Sequence, residues 1–179
     1  DWHQRLRGWE VDARPTKLGS IGRQFVLDVY NPSDEQLHER LAHLSYSTAL
    51  KLRYQNVSAR GLYVYARFNS GDFWYTRKKF KTAFYSDKEV FRRALLLFNS
   101  RPKLIVKEMG VTCYGLEPST RPQASLFEEF NLEEELTKVM DDVNDRYGNF
   151  TITFANAHDT KTKLPQKIPF GSTKYLELL

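Results

Sequence analysis

With 179 residues, of which 41% are hydrophobic, 14% aromatic and 27% charged, the chain has room for one domain with its own core plus an appendage. That balance excludes wholesale disorder, and the length excludes most two-domain enzymes. The net charge of +5 conceals a division: residues 1–122 carry 21 Lys/Arg against 12 Asp/Glu, a net of +9, whereas residues 123–179 carry 6 against 10, a net of −4.

Such a split fits a polyanion-binding body with a weakly acidic appendage better than it fits a basic surface with no partner. Cys113 is the only cysteine, so an internal disulfide is excluded. With no signal peptide and no apolar run of bilayer length, the cytoplasm is the expected compartment and a membrane is not an expected partner. His3, His38, His43 and His158 are scattered, and the five-residue step from His38 to His43 does not align them on one helical face. No metal site is expected.

Residues 1–17 show no sustained period and read as a connector. Leu18–Val29 is rich in apolar and β-branched residues and ends at the turn pair Asn31-Pro32, which predicts a first strand. Ser33 with Gln36 forms a capping box, and Leu37, Leu41, Leu44, Thr48 and Leu52 recur at helical spacing, predicting a helix from about Asp34 to Tyr54. Gly61–Phe68 and Phe73–Phe80 are aromatic-rich runs joined by the turn-forming residues Asn69 to Asp72, a hairpin.

A second capping box, Ser86 with Glu89, opens a helix through Phe98 that stops near Arg101-Pro102, and Leu104–Tyr114 reads as another strand. The order β, α, β, β, α, β predicts an α+β fold of the split βαβ type: a four-stranded antiparallel sheet with two helices on one face. After a linker over 118–130, Asn131 with Glu134 caps a further helix whose apolar stripe runs from Leu132 to Tyr147 and stops at Gly148. Phe150–Ala155 is a candidate strand, and the remainder of 131–179 an irregular extension.

Alternation along the hairpin sends Leu62, Val64, Ala66 and Phe68 toward the helices and Tyr63, Tyr65 and Arg67 away from them. If Phe68 opposes Phe73, then Trp74, Thr76 and Lys78 join the second set on the open face. From Arg60 to Lys81 there are six basic residues, Arg60, Arg67, Arg77, Lys78, Lys79 and Lys81, against one acid, Asp72. Cations and backbone N–H groups ranged along a strand hold nucleic-acid phosphates without reading sequence. Lysines that only protect a sheet edge would not need the accompanying Tyr and Trp residues.

The remaining candidates are weaker. Asp141 and Asp145 share a helix face where a divalent cation is conceivable, but no nucleophile, base or phosphate loop accompanies them, and a solvated face is the expected reading. Cys113 reads as a small core residue rather than a reactive thiol.

The stretches KLGSIGRQFVL, GLYVYARF, DFWYTRKKF and LIVKEMGVTCYGLE resemble, in this order, the little-finger domain of Y-family translesion DNA polymerases of the DNA polymerase IV type. The resemblance covers about Lys17 to Glu117 and continues more loosely through QASLF and MDDVNDRYG. It implies a thumb-to-little-finger connector at 1–17 and a little-finger domain at 18–117 that grips primer-template DNA by its backbone. Ser20, Arg23, Arg67, Thr76, Arg77 and Lys107 match places where that family has phosphate-contacting or basic residues, and Tyr65 stands where a lysine is common.

The resemblance also implies a sliding-clamp ligand at Gln123-Ala124-Ser125-Leu126-Phe127, with Leu126 and Phe127 as anchors, Gln123 setting register and Ser125 between them. The plainer alternative is that Leu126, Phe127 and Phe130 staple the following helix to the domain. The palm, with its metal-binding carboxylates and Mg2+, would lie upstream of Asp1, so this chain alone is expected to need no cofactor and not to polymerise DNA. Its expected partners are primer-template DNA, the sliding clamp and the catalytic core of the same polymerase. An RNA-binding module that stacks bases on Tyr63, Tyr65 and Trp74 is the alternative from another class.

Overall fold

The computed structural model describes residues 2–9, 18–119, 128–148 and 151–153. A short helix α1 (Trp2–Leu6) stands in the stretch expected to be an irregular connector. The domain then runs β1 (Ser20–Val26), α2 (Asp34–Tyr54), β2 (Val57–Phe68), β3 (Phe73–Phe84), α3 (Asp87–Phe98) and β4 (Val106–Pro118), followed by α4 (Glu128–Tyr147). No helix among the described residues is long and apolar enough to cross a membrane.

The four strands form one antiparallel sheet in the order β1-β4-β2-β3. Since β4 is antiparallel to both β1 and β2, the crossover through α2 joins two parallel strands with β4 between them. The crossover through α3 likewise joins β3 to β4 with β2 between them, so each βαβ unit is split by a strand of the other. The α+β fold expected from the sequence is met, and β2 and β4 are its inner strands.

Ser33 caps α2 as predicted, accepting from the Gln36 backbone N–H at 3.2 Å while the Gln36 side chain accepts from the Ser33 N–H at 3.0 Å. Ser86 caps α3 by accepting from the Glu89 N–H at 3.3 Å, but the Glu89 side chain meets the Ser86 hydroxyl, at 3.5 Å, in place of the backbone N–H that a reciprocal capping box would use. The core lies between the helices and one face of the sheet. Leu41, Leu52, Leu62, Val64, Ala66, Phe84, Val90, Ala94, Phe98, Met109, Val111 and Cys113 are fully buried there. Burial pushes the Cys113 thiol up to about 12, as suits a small core residue rather than a nucleophile.

Helix α2 is buried on more than the side facing the sheet, since Ala42, Tyr46 and Leu50 are also out of water. Part of its outer surface is covered by α4. Arg53, near the end of α2, binds both oxygens of Asp141 on α4, at 2.5 and 2.7 Å, and Asp87 at the start of α3 at 2.7 Å. Tyr54 donates to Asp145. The Asn144 side chain, 1% exposed, donates to the Tyr46 hydroxyl and the Ile152 carbonyl and accepts from the Ile152 N–H.

These contacts correct two expectations. Asp141, half-buried, and Asp145, which stays exposed, both tie α4 to α2 rather than only meeting solvent, because a helix can dock through charge-assisted bonds as well as through its apolar stripe. α4 also begins at Glu128 rather than after a cap at Asn131. It stops where expected, at Gly148 with φ +101°. Of the candidate strand at 150–155, Thr151–Thr153 form a bend and no strand, and the rest lies outside the described residues.

Candidate nucleic-acid interface

The hairpin of β2 and β3 decides which side chains face away from the helices, and its loop decides the register. Phe68 donates its N–H to the Asp72 carbonyl at 2.9 Å, and Gly71 donates to the Phe68 carbonyl at 3.0 Å. The loop is therefore three residues, Asn69-Ser70-Gly71, with Gly71 at φ +92°, a conformation that a residue with Cβ adopts at a cost. A loop of four residues was expected. The difference of one shifts the pairing so that Arg67, not Phe68, stands opposite Phe73.

A one-residue slip turns every β3 side chain to the other face. Opposite Tyr63, Tyr65 and Arg67 on the open face stand Arg77, Tyr75 and Phe73, with Lys79 opposite Gly61. Trp74, Thr76 and Lys78 pair with Ala66, Val64 and Leu62 on the helix side. Trp74 packs against the core, and Lys78 holds its ammonium 5.8 Å from the Phe80 ring.

The open face is layered by rings lying on glycines. Tyr65 stands opposite Gly110, where a Cβ would come within 2.2 Å of its ring. Tyr114 occupies the same relation to Gly61, where a Cβ would lie 2.4 Å from its ring. From its place over Gly110 the Tyr65 hydroxyl reaches Glu108 at 2.7 Å and Gln24 at 2.9 Å. Burial, first, and the Glu108 carboxylate, second, push its ionisation upward, so it remains a neutral phenol. Glu108 also lies 3.7 Å from Arg67.

Arg67, Arg77 and Lys79 are exposed along this face and its rim. β3 is an edge strand, and the Phe68–Asp72 hydrogen bonding sets the phase of its ladder. Because hydrogen-bonded and non-bonded pairs alternate in an antiparallel ladder, the N–H groups of Phe73, Tyr75, Arg77 and Lys79 point outward from the sheet. The same four residues thus present side chains to the open face and amides to the free edge.

Residues 19–126, more than half of the chain, match the impB/mucB/samB family C-terminal domain. The chain belongs to this family. A DNA polymerase IV of Bacillus anthracis is 26% identical over 159 residues, covering 83% of this chain and 38% of the relative's length. Among solved structures, a post-insertion binary complex of Dbh DNA polymerase is similar with a TM-score of 0.48 and 16% identity, over 64% of this chain and 34% of that one. DinB from Sulfolobus solfataricus has a TM-score of 0.46 and 19% identity, over 53% of this chain and 28% of that one. The family drawn from the four sequence stretches is met by the matched domain and by relatives named DNA polymerase IV.

Within this family domain the ten expected DNA-contacting residues are divided between places. Tyr65, Arg67 and Arg77 lie on the open face, Lys79 at its rim, and Ser20 at the start of β1 opposite Tyr114. Lys107 is exposed at an irregularity of β4, where Arg67 pairs with Glu108 and Phe68 with Val106. Trp74, Thr76 and Lys78 are on the helix side, for the register reason given above. Arg23 is there too: it pairs with Val111, a core residue, and its charge acts on His43 and Lys51 of α2. Family position named Arg23, but strand alternation turns it inward.

Phe73, Tyr75, Gln24 and Glu108 belong to the open face and were not foreseen. The signal for the first two was Gly71 as third residue of the loop, which marks a three-residue hairpin. The peptide Gln123, Ala124, Ser125, Leu126 and Phe127 lies outside the described residues. Among the described residues no group of three or more His, Cys, Asp or Glu side chains is arranged to hold a metal.

Proposed function

We propose that this chain is the DNA-holding C-terminal region of an error-prone translesion polymerase, gripping the backbone of primer-template duplex without reading its sequence. The observation that carries this reading is the coincidence, on one edge strand, of exposed cations at Arg77 and Lys79 with outward amides, beside Arg67 on β2. Outward amides two residues apart recur about every 7 Å along a strand. Together with the cations they form a row of donors for successive phosphates, which hold the duplex without distinguishing bases.

Nucleotidyl transfer, and the Mg2+ it would require, we assign to the remainder of a parent DNA-directed DNA polymerase, because the chain spans 38% of the length of the curated relative it matches. The catalytic core is then its partner in the same polypeptide, and the bacterial relatives point to the cytoplasm. That these relatives are DNA polymerases gives the RNA-binding alternative no support. The peptide QASLF supplies a second tether to a sliding clamp: an extended segment inserts Leu126 and Phe127 into a preformed pocket while the Gln123 amide sets register.

Fluorescence anisotropy with two duplexes of unrelated sequence tests the central reading. Affinity is expected to be equal for the two and to fall about fortyfold between 50 and 200 mM salt, the loss for three neutralised phosphates. Binding that ignores salt, or none at low salt, overturns it. For the clamp, undiminished capture by Leu126→Ala/Phe127→Ala refutes the assigned anchors.

A further inference from the structure

Four rings on the open face make one continuous layer. Tyr63 and Tyr65 have centroids 6.0 Å apart, Tyr63 and Tyr75 5.7 Å, Tyr65 and Phe73 5.4 Å, and Phe73 and Tyr75 6.0 Å. Their planes are inclined to one another by only 34° to 37°. Tyr65 lies down across β4 because Gly110 has no side chain to hold it off. Neighbours at these distances and tilts lean against one another rather than standing edge-on, so the four rings pack as one cluster on the open face. Phe73 and Tyr75 remain 51% and 57% exposed.

A backbone grip does not call for this layer. Phosphates are held by cations and amides, and rings standing in water on the face opposite the core cost solubility without adding to that grip. The groups that gain from exposed aromatic rings are bases with a free π-face. In a duplex those faces are covered by neighbouring base pairs, whereas in a single strand they are open. Arg67, Arg77 and Lys79 beside the rings match the phosphates of such a strand in charge.

We propose that Tyr63, Tyr65, Phe73 and Tyr75 form a stacking floor for unpaired bases of single-stranded DNA, namely the template segment next to the primer junction. The proposal rests on the DNA-holding reading above and adds to it a preference for the junction over plain duplex. Stacking is tolerant of sequence, because every base has a π-face. The floor therefore adds affinity while leaving sequence unread.

The test uses the 179-residue chain and three labelled DNAs: a blunt duplex, the same duplex with a short unpaired overhang, and that overhang built of abasic sites. The normal overhang is expected to bind about tenfold tighter than the abasic one, the gain of stacking at least one base. In Phe73→Ala/Tyr75→Ala the ratio should fall to about one, and in Phe73→Tyr/Tyr75→Phe it should be restored. Equal affinity for normal and abasic overhangs, or an undiminished ratio in the alanine pair, overturns the stacking floor. So does a stronger gain from an RNA overhang than from DNA. Failure to bind the blunt duplex at low salt instead overturns the DNA-holding reading, so the two failures are told apart.

Discussion

Along β2, Leu62, Val64 and Ala66 are wholly out of water under the helices, while one step away Tyr63, Tyr65 and Arg67 stand on a face that no described helix covers. The covered face fills its space with aliphatic side chains from helices and strands together. The open face has no helix to fill it, and instead lays Tyr65 and Tyr114 over Gly110 and Gly61. From Leu62 to Phe68 the strand therefore carries stability on its even-numbered positions and the side chains proposed to bind on its odd-numbered ones, and the two are separable by substitution.

The sharpest way to break this comparison is to place the same charge on each face. Val64→Asp buries a carboxylate with no counter-charge and is expected to abolish the cooperative melting transition. Arg77→Asp should leave the melting midpoint nearly unchanged, within about 0.5 kcal/mol, and weaken duplex binding. A DNA-binding defect in neither, or a lost fold in the second, would contradict the division.

The covered side extends outward through Arg53, which joins α2, α3 and α4 by way of Asp87 and Asp141. Burial raises the ionisation of Asp87 despite the opposing pull of Arg53, so its charge depends on that guanidinium. Arg53→Met is expected to cost about 3–5 kcal/mol in denaturant unfolding, because it leaves a buried carboxylate alone. Adding Asp87→Leu should recover much of the loss, which a purely steric role for Arg53 would not permit.

His43 makes the covered side sensitive to acid. Burial, then the charges of Arg40 and Arg23, lowers its ionisation to about 4 from an ordinary 6.5. Below about pH 6.5 the unfolded chain takes up a proton that the folded chain refuses, so stability falls as pH drops from about 6.5 toward 4. The contribution reaches about 3 kcal/mol at the lower end. Denaturant midpoints at pH 7 and 5 should show this slope, and His43→Gln should flatten it.

A smaller effect is expected on the open face. Gly110→Ala would set a methyl within 2.2 Å of the Tyr65 ring and lift it from β4, at a cost of about 1–3 kcal/mol. With Tyr65→Ala also present, the added methyl should cost almost nothing. Additive costs in this cycle would show that the ring does not lie on Gly110.

How much of this was legible in the sequence depended on whether the signal was local. Helix α2 could be read because Ser33, Gln36 and the recurring leucines all lie within it. The open face could not be read reliably, because a loop of three rather than four residues reverses the parity of β3 and exchanges Trp74, Thr76 and Lys78 for Phe73, Tyr75 and Arg77. The inward turn of Arg23 was not legible for a related reason, since position within a family does not say which way a strand residue faces. Asp141 and Asp145 read as solvated because a helix shows its own stripe but not the arginine and tyrosine waiting on a neighbour 88 and 91 positions away.

The central claim is that cations of the open face and its rim hold duplex phosphates, and the salt dependence of binding tests it most directly. The slope of log affinity against log salt should become shallower by about 2 to 3 in Arg67→Ala/Arg77→Ala/Lys79→Ala, close to 0.9 for each phosphate that is no longer neutralised. An unchanged slope in the triple variant, with its melting midpoint intact, would contradict the account and move the duplex to another surface.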